Sequence, residues 1–308
     1  MQVHQFPNIP PSVGALAATT GFFDGVHCGH VAVLNRLKRA AAESGLPSCV
    51  ITYAPHPRIV LGSGSDLFLL SSDEEKRRLL ASHGVERLVV IPFTEVLAGL
   101  PIDDFFERYL VSTLHVKELV VGYDHNMGKN ALGGFEKISS LGKKRHVSVH
   151  LVAPYVQDGI AVSATKIRRA LQEGNIAAAN SMLGYPYALS GTVCSGMRLG
   201  RTIGYPTANI RLDFERKMLP QDGAYAVQVQ LGSAQHIGML NIGTRNTLSH
   251  PTALSIEVHI FDFAQDIYGC SLTVRFIAKL RDVQKVASAD ELKKMLEVDE
   301  ANARRILS

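Results

Sequence analysis

The chain has 308 residues, of which 46% are hydrophobic and 19% charged, and its formal net charge is +4. The length predicts two domains with cores of their own, and so weak a positive charge excludes nucleic acid as the main partner. No apolar run approaches about 20 residues, which predicts no transmembrane helix, and the start lacks a secretory signal. The four cysteines are scattered and lack metal-ligand spacing. We therefore expect reduced thiols in a cytoplasmic protein.

Up to about residue 155, apolar strands alternate with amphipathic helices, which predicts a doubly wound α/β domain with a parallel sheet. The predicted strands are Val13–Thr19, Ser48–Ala54, Arg87–Phe93, Glu118–Tyr123 and Ser148–Pro154, with helices near 32–44, 73–83, 101–114 and 134–144. Ligands of such sheets bind at the carboxyl ends of the strands. Residues 21–30 fall at one of these ends.

Residues 21–30 read Gly-Phe-Phe-Asp-Gly-Val-His-Cys-Gly-His, and a helix is predicted to begin at about Gly29. A helix start offers unpaired N–H groups and a positive dipole end, and Gly29 lets a phosphate approach closely. His27 and His30 could then hydrogen-bond the charge that grows when ATP is attacked at its α-phosphate. Two exposed histidines on an ordinary βα turn are the alternative, which the full pattern disfavours.

This segment closely resembles the nucleotidyltransferase signature G-x-F-D-G-V-H-x-G-H of bacterial bifunctional riboflavin kinase/FMN adenylyltransferases, which make FMN and then FAD. The resemblance implies catalytic roles for the two histidines. It also implies that the nucleotide or its phosphates are bound by Gly21, Phe23, Asp24 and Gly29.

The segment Ala54–Arg58 carries two prolines that stiffen the loop after the second predicted strand. From the residues alone, two interpretations are equally supported: a rigid loop with a solvated arginine, and a ligand site. The resemblance favours Arg58 as a nucleotide or flavin-phosphate contact.

The segment after the fourth predicted strand is similar to the family's G-x-D-F-R-F-G-K run, which helps to hold the flavin ring. The match implies flavin contacts from Asp124, His125 and Met127, but His125-Asn-Met127 stands where Phe-Arg-Phe is usual. We therefore expect weaker binding of FMN here. A kinase whose adenylyltransferase half has weakened or taken another substrate is the closest rival hypothesis.

A further helix is predicted near 161–174, with Ser163 as its N-cap, Thr165 in its first turn and Arg168 one turn on. Such a pattern alone is more often structural. It resembles the family's I-S-S-T-x-I-R segment, with Ala164 in place of the second serine. The resemblance implies that Ser163 and Thr165 bind ATP phosphates and that Arg168 is a catalytic arginine that pairs with the pyrophosphate leaving group.

After a short helix near 176–183, Gly184–Pro186 is the predicted hinge, which divides the chain into domains 1–183 and 184–308. The second domain is predicted to be a small antiparallel barrel closed by a C-terminal helix, Ala289–Leu307. Its β-rich runs are Ala188–Cys194, Tyr205–Ile210, Gly223–Gln230, His236–Ile242, Ala253–Phe263 and Ser271–Leu280.

The segment Gly196–Ile210 is the second strong motif. Its glycines permit backbone N–H groups to curl around phosphates, and Thr207 and Asn209, two apart on a strand, offer the oxygen ligands that Mg²⁺ prefers. A Gly-rich hairpin is the alternative. The whole segment resembles the riboflavin kinase signature ending in P-T-A-N. The implied phosphate-binding residues are Gly196, Arg198, Gly200 and Gly204.

Glu257 lies in an alternating run, Leu254–Asp262, on the face opposite Ile256 and Val258. A carboxylate so placed is usually just solvated. The surrounding residues resemble the kinase's N-I-G…P-T…E-V-H…D-F…Y-G run. That resemblance implies that Glu257 is the general base for riboflavin's terminal ribityl hydroxyl and that Asn241 contacts the flavin.

The sequence thus predicts a cytoplasmic two-site enzyme that uses ATP and Mg²⁺ to convert riboflavin to FMN and FMN to FAD. Its expected partners are these small molecules, with no nucleic acid and no membrane, and the oligomeric state stays open. A non-catalytic flavin-binding regulator is a rival of another class. It is disfavoured because a pure binding module needs no general base.

Overall fold

The computed structural model describes residues 1–10, 13–62, 64, 66–123, 134–196, 203–245, 253–284 and 286–308. These residues form two compact units, Met1–Ala164 and Thr165–Ser308. Each unit is described by itself below.

The first unit contains a six-stranded parallel sheet, which confirms the predicted α/β class. The strands follow the order β1-β4-β3-β2-β5-β6. They are Gln2–Gln5 (β1), Leu16–Thr20 (β2), Ser48–Ala54 (β3), Arg87–Pro92 (β4), Val116–Gly122 (β5) and Ser148–Val152 (β6).

All of the strands predicted for this unit are present, with shifted ends. Strand β2 begins at Leu16 rather than Val13 because Gly14, at φ 60°, interrupts the extended backbone before it. Strand β1 was not predicted, since Gln2–Gln5 has no apolar run and becomes a strand through its pairing with β4.

The helices of the first unit cover both faces of the sheet. Helix α1 buries Leu34, Leu37 and Ala41 and ends at Gly45, whose left-handed φ of 66° lets its N–H reach the last carbonyls. The predicted helix 101–114 is a short α-helix followed by a π-helical segment, Phe106–Thr113. The helices are Cys28–Ser44 (α1), Pro57–Val60 (α2), Asp73–Ser82 (α3), Glu95–Ala98 (α4), Ile102–Phe105 (α5) and Phe135–Arg145 (α6).

The order in which strands are added to the parallel sheet reverses beside β2. The chain runs from β2 outward through β3 and β4, and then returns to place β5 and β6 on the other side. The carboxyl ends of β2 and β5 therefore flank the topological switch point, where doubly wound sheets bind ligands. Residues 21–27 follow β2 directly.

A small hairpin, Val156–Gln157 (β7) with Ile160–Ala161 (β8), leads to helix Ala164–Gln172 (α7), which continues into the second unit. The helix predicted from residue 161 thus begins later, because residues 160 and 161 pair in the hairpin.

The second unit is a closed antiparallel barrel, as predicted, in the order β10-β13-β12-β11-β14-β9. Strand β10 begins at Ala208 rather than Tyr205, because Pro206 has no N–H to donate to a ladder. The elements are Ile176–Leu183 (α8), Ala188–Cys194 (β9), Ala208–Leu212 (β10), Gly223–Leu231 (β11), Ala234–Arg245 (β12), Ala253–Ile260 (β13), Ser271–Arg281 (β14) and Ala289–Leu307 (α9).

Helix α8 packs on the barrel through Asn180. Its amide nitrogen donates to the carbonyl of Phe276 at 2.8 Å, and its amide oxygen accepts the N–H of Tyr187 at 2.7 Å. Residues 165–183 therefore cluster with the barrel. The functional boundary at Gly184 stays a prediction.

Helix α9 covers the outer face of the barrel and is held there by two ion pairs. Arg281 of β14 binds the buried carboxylate of Asp299 at 2.8 Å, and Arg304 binds both oxygens of Asp262 at 2.9 and 3.0 Å. Bidentate pairs of this kind fix orientation as well as position.

Candidate active sites

The backbone after β2 is strained where the first motif lies. Phe23, Gly25 and Val26 have φ values of 51°, 74° and 35°. A positive φ in a β-branched residue such as Val26 is uncommon and is stored where the surroundings hold it in place. Such strain is typical of functional turns.

Asp24 and Gly25 tie this turn to the segment before α3. The buried Asp24 carboxylate accepts the N–H groups of Leu70 and Ser71 at 3.1 and 3.0 Å, and the Gly25 N–H donates to the Ser71 hydroxyl at 2.9 Å. These contacts give Asp24 a structural role that sequence reasoning missed. Its predicted contact with the nucleotide is untested.

His27 and His30 are brought together at the start of α1. Their rings stack with centroids 3.7 Å apart, and His27 Nδ1 caps the helix by accepting the His30 N–H at 3.4 Å. Because Nδ1 accepts, a neutral His27 carries its proton on Nε2. Gly29 permits this arrangement, since a Cβ there would lie 3.1 Å from His27 Cε1.

His30 is neutral at neutral pH. Burial lowers its pKa well below the ordinary value of 6.5, and the nearby His27 and Lys76 lower it further. Lys76, on α3, is a buried residue beside the motif that sequence reasoning missed. The glutamates around it suggest only a solvated helix face.

Aromatic side chains gather beyond the ends of β2, β3 and β4. Phe22 lies 4.6 Å from the ring of His56, 5.4 Å from Tyr53 and 6.5 Å from Phe93, all measured between centroids. Burial raises the pKa of Tyr53 to about 12, and a 2.6 Å hydrogen bond links its hydroxyl to Thr20. We call Phe22, His56 and Phe93 the aromatic platform. The sequence did not predict it, because Phe22 occupies a variable position of the signature.

Other predicted residues of the first site are less closely assembled. His56 Nδ1 accepts the N–H of Arg58 at 3.2 Å, and the Arg58 side chain is exposed. Gly21 lies before Phe23, whose ring would be 3.2 Å from a Cβ at Gly21. The flavin contacts predicted at Asp124, His125 and Met127 lie outside the described residues.

The segment around α7 matches its predicted local structure. Ser163 directly precedes the helix, Thr165 lies exposed in the first turn and Arg168 is half-buried one turn on. Ser163 belongs to the first unit, and Thr165 and Arg168 belong to the second.

The barrel places Glu257 in a row of polar side chains. Asn209 of β10 and Asn241 of β12 are its direct partners on the two neighbouring strands. The Thr207 hydroxyl donates to Glu257 Oε2 at 2.8 Å, and the Ser255 hydroxyl donates to Oε1 at 2.8 Å. The carboxylate is thereby held in one orientation beside the predicted metal ligands.

Gly196 lies against this row, so close that a Cβ would be 2.2 Å from Asn209 Nδ2. Gly204 has a left-handed φ of 87° at the other end of the motif. Arg198 and Gly200 lie outside the described residues.

A cavity of about 340 Å³ opens between this row and α9, within the usual range for small-molecule sites, roughly 300–1,000 Å³. Glu257 and Asn241 line one wall. The opposite wall is apolar and comes from helix α9 through Leu292, Met295 and Leu296. The ion-paired Arg281 and Asp299 also line the cavity. Sequence reasoning missed Asp299, although its spacing from Leu292 and Leu296 places it on the apolar face of α9.

Within the described residues, no three His, Cys, Asp or Glu side chains form a cluster that could hold a metal ion. No helix among those residues is long and apolar enough to cross a membrane.

Two family models match the chain: FAD synthetase over residues 10–166 and riboflavin kinase over residues 183–307. A bifunctional riboflavin kinase/FMN adenylyltransferase of Listeria monocytogenes is 39% identical over 285 residues, covering 92% of this chain and 90% of that protein. One from Pseudomonas fluorescens is 36% identical over 306 residues, covering 97% and 95%. A crystal structure titled as a macrolide-efflux protein from Streptococcus pneumoniae aligns with a TM-score of 0.89 at 31% identity, covering 99% of each chain.

Proposed function

This chain belongs to the family of bifunctional riboflavin kinase/FMN adenylyltransferases, and from that premise we propose how its residues make FMN and then FAD. Residues 184–308 transfer the γ-phosphoryl group of ATP to riboflavin, and residues 1–183 join FMN to AMP from a second ATP. The observation that carries the proposal is the oriented Glu257 carboxylate, fixed by two hydroxyl donors at the edge of the cavity.

In the kinase reaction, Glu257 is the general base. With both oxygens held at 2.8 Å by Thr207 and Ser255, the carboxylate accepts the proton of the terminal ribityl hydroxyl as that oxygen attacks the γ-phosphorus. The bond from the γ-phosphorus to the bridging oxygen breaks and ADP leaves. The flavin ring lies in the cavity against the apolar wall of α9, with Asn241 at its polar edge. A positioned base of this kind contributes about 10²–10⁴-fold.

The residues around Glu257 fit Mg²⁺. The Thr207 hydroxyl, the Asn209 amide oxygen and the carboxylate offer an all-oxygen donor set. Gly196 leaves room for the Asn209 amide in this row, because a Cβ there would collide with it. Thr207 and Asn209 would hold the ion. When bound, it neutralises charge on the transferred phosphoryl group.

In the adenylyl transfer, an FMN phosphate oxygen attacks the α-phosphorus of ATP and pyrophosphate leaves. His27 donates from Nε2, the nitrogen left protonated by its capping bond, and the neutral His30 donates beside it. Ser163, Thr165 and Arg168 supply the hydroxyls and the cation for the departing phosphates.

The flavin of this second reaction is proposed to lie on the aromatic platform of Phe22, His56 and Phe93, with Arg58 near its phosphate. Aromatic stacking contributes about 0.5–1.5 kcal/mol beyond the buried area. We also place the enzyme in the cytoplasm, a proposal supported by the fact that all four cysteines are free.

The test is a time course. The full chain is incubated with riboflavin, ATP and Mg²⁺, and the flavins are separated at intervals, with an EDTA-treated sample as the control. FMN that appears first and is then converted to FAD supports the proposal. FMN alone supports the rival with a weakened adenylyltransferase half, and tight riboflavin binding without product supports the regulator.

A further inference from the structure

We propose that Lys76 supplies a fixed positive charge to the phosphates of the ATP that is bound at the histidine pair of the first unit. The inference rests on the proposed adenylyl-transfer site. It adds a residue that lies outside both sequence motifs, on helix α3.

Among the residues that the structure describes, the buried Lys76 side chain has no comparably buried ion-pair partner. Only 10% of it is exposed, whereas the Asp73 carboxylate that its Nζ meets at 3.1 Å is 64% exposed. Lysine is almost never buried unless it is paired, and a pair with so exposed an aspartate could form equally well in water. The ion pair therefore does not account for the burial of the ammonium group.

The position of α3 directs this charge to the motif. Lys76 and Leu80 are one turn apart and both buried, and Leu80 packs in the cluster that contains Phe23 and Val26. The start of α3 is fixed by a capping box between Ser72 and Glu75. The bonds from Leu70 and Ser71 to Asp24 join that start to the motif turn.

The charge of Lys76 acts on the histidine pair, because it contributes to the lowered pKa of His30. A cation that disfavours protonation of a neighbouring imidazole favours an anion in the same place. During adenylyl transfer the bond between the α-phosphorus and the bridging oxygen breaks, and charge grows on the oxygens of the pyrophosphate. An ammonium group already desolvated at that point stabilises this charge without reorganisation.

The test compares Lys76→Met and Lys76→Arg in the full chain. Arg78→Met is the matched control, because Arg78 is a cation of the same helix that is 62% exposed and pairs with Glu74. For each variant, kcat and KM for ATP in FAD synthesis from supplied FMN and the inhibition constant of pyrophosphate are measured. Riboflavin phosphorylation and thermal unfolding are recorded in the same preparations.

We expect Lys76→Met to lower kcat/KM for ATP by about 10- to 100-fold, the value of one charge-assisted hydrogen bond. Pyrophosphate should inhibit it more weakly, Lys76→Arg should restore part of both, and Arg78→Met should resemble the wild type. Unchanged constants in Lys76→Met would overturn the inference. So would a loss of kcat/KM with unchanged pyrophosphate inhibition, which a purely structural lysine would give.

A separate variant, His27→Ala with His30→Ala, distinguishes the two proposals. If it abolishes FAD synthesis while Lys76→Met does not impair it, the site stands and the role of Lys76 is wrong. If the double variant makes FAD at the wild-type rate, the proposed site itself is wrong.

Discussion

Replacing Gly196 by alanine should disable the kinase while sparing the adenylyltransferase. The new methyl carbon would lie 2.2, 2.6 and 2.9 Å from Nδ2, Cγ and Oδ1 of Asn209. All three distances are below ordinary van der Waals contact, so the amide must move by roughly 1 Å to reach a normal separation of about 3.5 Å. Its strand cannot follow, because β10 is paired on both sides.

A displacement of about 1 Å in a positioning group costs about 10²-fold in rate. Since Asn209 is a proposed ligand of Mg²⁺, the loss should be partly recovered at high Mg²⁺ concentration. The assay is the initial rate of FMN formation against Mg²⁺ concentration, with conversion of supplied FMN to FAD as the internal reference.

Gly232→Ala is the control for stability. Gly232 has a left-handed φ of 57° in open space, so alanine there strains the backbone by about 1–2 kcal/mol without meeting the site. This control should keep both activities. Wild-type kinase rates in Gly196→Ala, or an equal loss in Gly232→Ala, would show that the contact between Gly196 and Asn209 does not control the kinase.

Further outcomes are expected for stability, for the flavin cavity and for the domain boundary. Because the pKa of His30 is lowered from 6.5, the unfolded chain binds a proton below pH 6.5 that the folded chain does not. The free energy of unfolding should therefore fall as the pH drops below 6.5, by up to about 1.4 kcal/mol per pH unit. His30→Gln should remove this slope in denaturant titrations, and an unchanged slope would contradict the prediction. Asp299→Asn leaves the half-buried Arg281 without its carboxylate, so the KM for riboflavin should rise and the thermal stability should fall. The KM for FMN in FAD synthesis should not change. An unaltered KM for riboflavin would argue against this cavity as the riboflavin site. A fragment of residues 184–308 should phosphorylate riboflavin. It should unfold at a lower temperature than a fragment of residues 165–308, because it lacks the hydrogen bonds from Asn180 to the barrel. Equal melting temperatures would contradict this prediction.

The parts of the fold that are visible in the sequence are those where local pattern and tertiary environment agree. Strands β3 and β4 are visible as short apolar runs. The helix that ends at Gly45 has its own periodicity and its own C-cap. Thr207 and Asn209 could be placed on the same side because alternation fixes which side chains share a face of a strand, whereas Glu257 joins them through the pairing of β13 with β10.

The rest depends on partners that are distant in the sequence. Strand β1 exists only through β4, and the π-helical segment after Phe105 leaves no mark in a helical periodicity. The environment of Lys76 comes from the packing of α3 on the motif turn, and the pairing of Asp299 with Arg281 needs α9 docked on the barrel. Buried charges of this kind are satisfied only by tertiary structure.

The two chemistries are proposed to use separate residues, and variants of each site separate them. Rates of FMN formation from riboflavin and of FAD formation from supplied FMN are measured for Glu257→Gln and for His27→Ala with His30→Ala, with folding checked by circular dichroism. Glu257→Gln should lose only the first rate, by about 10²–10⁴-fold, and the double histidine variant should lose only the second. Loss of both rates in either folded variant, or retention of both, would contradict the account.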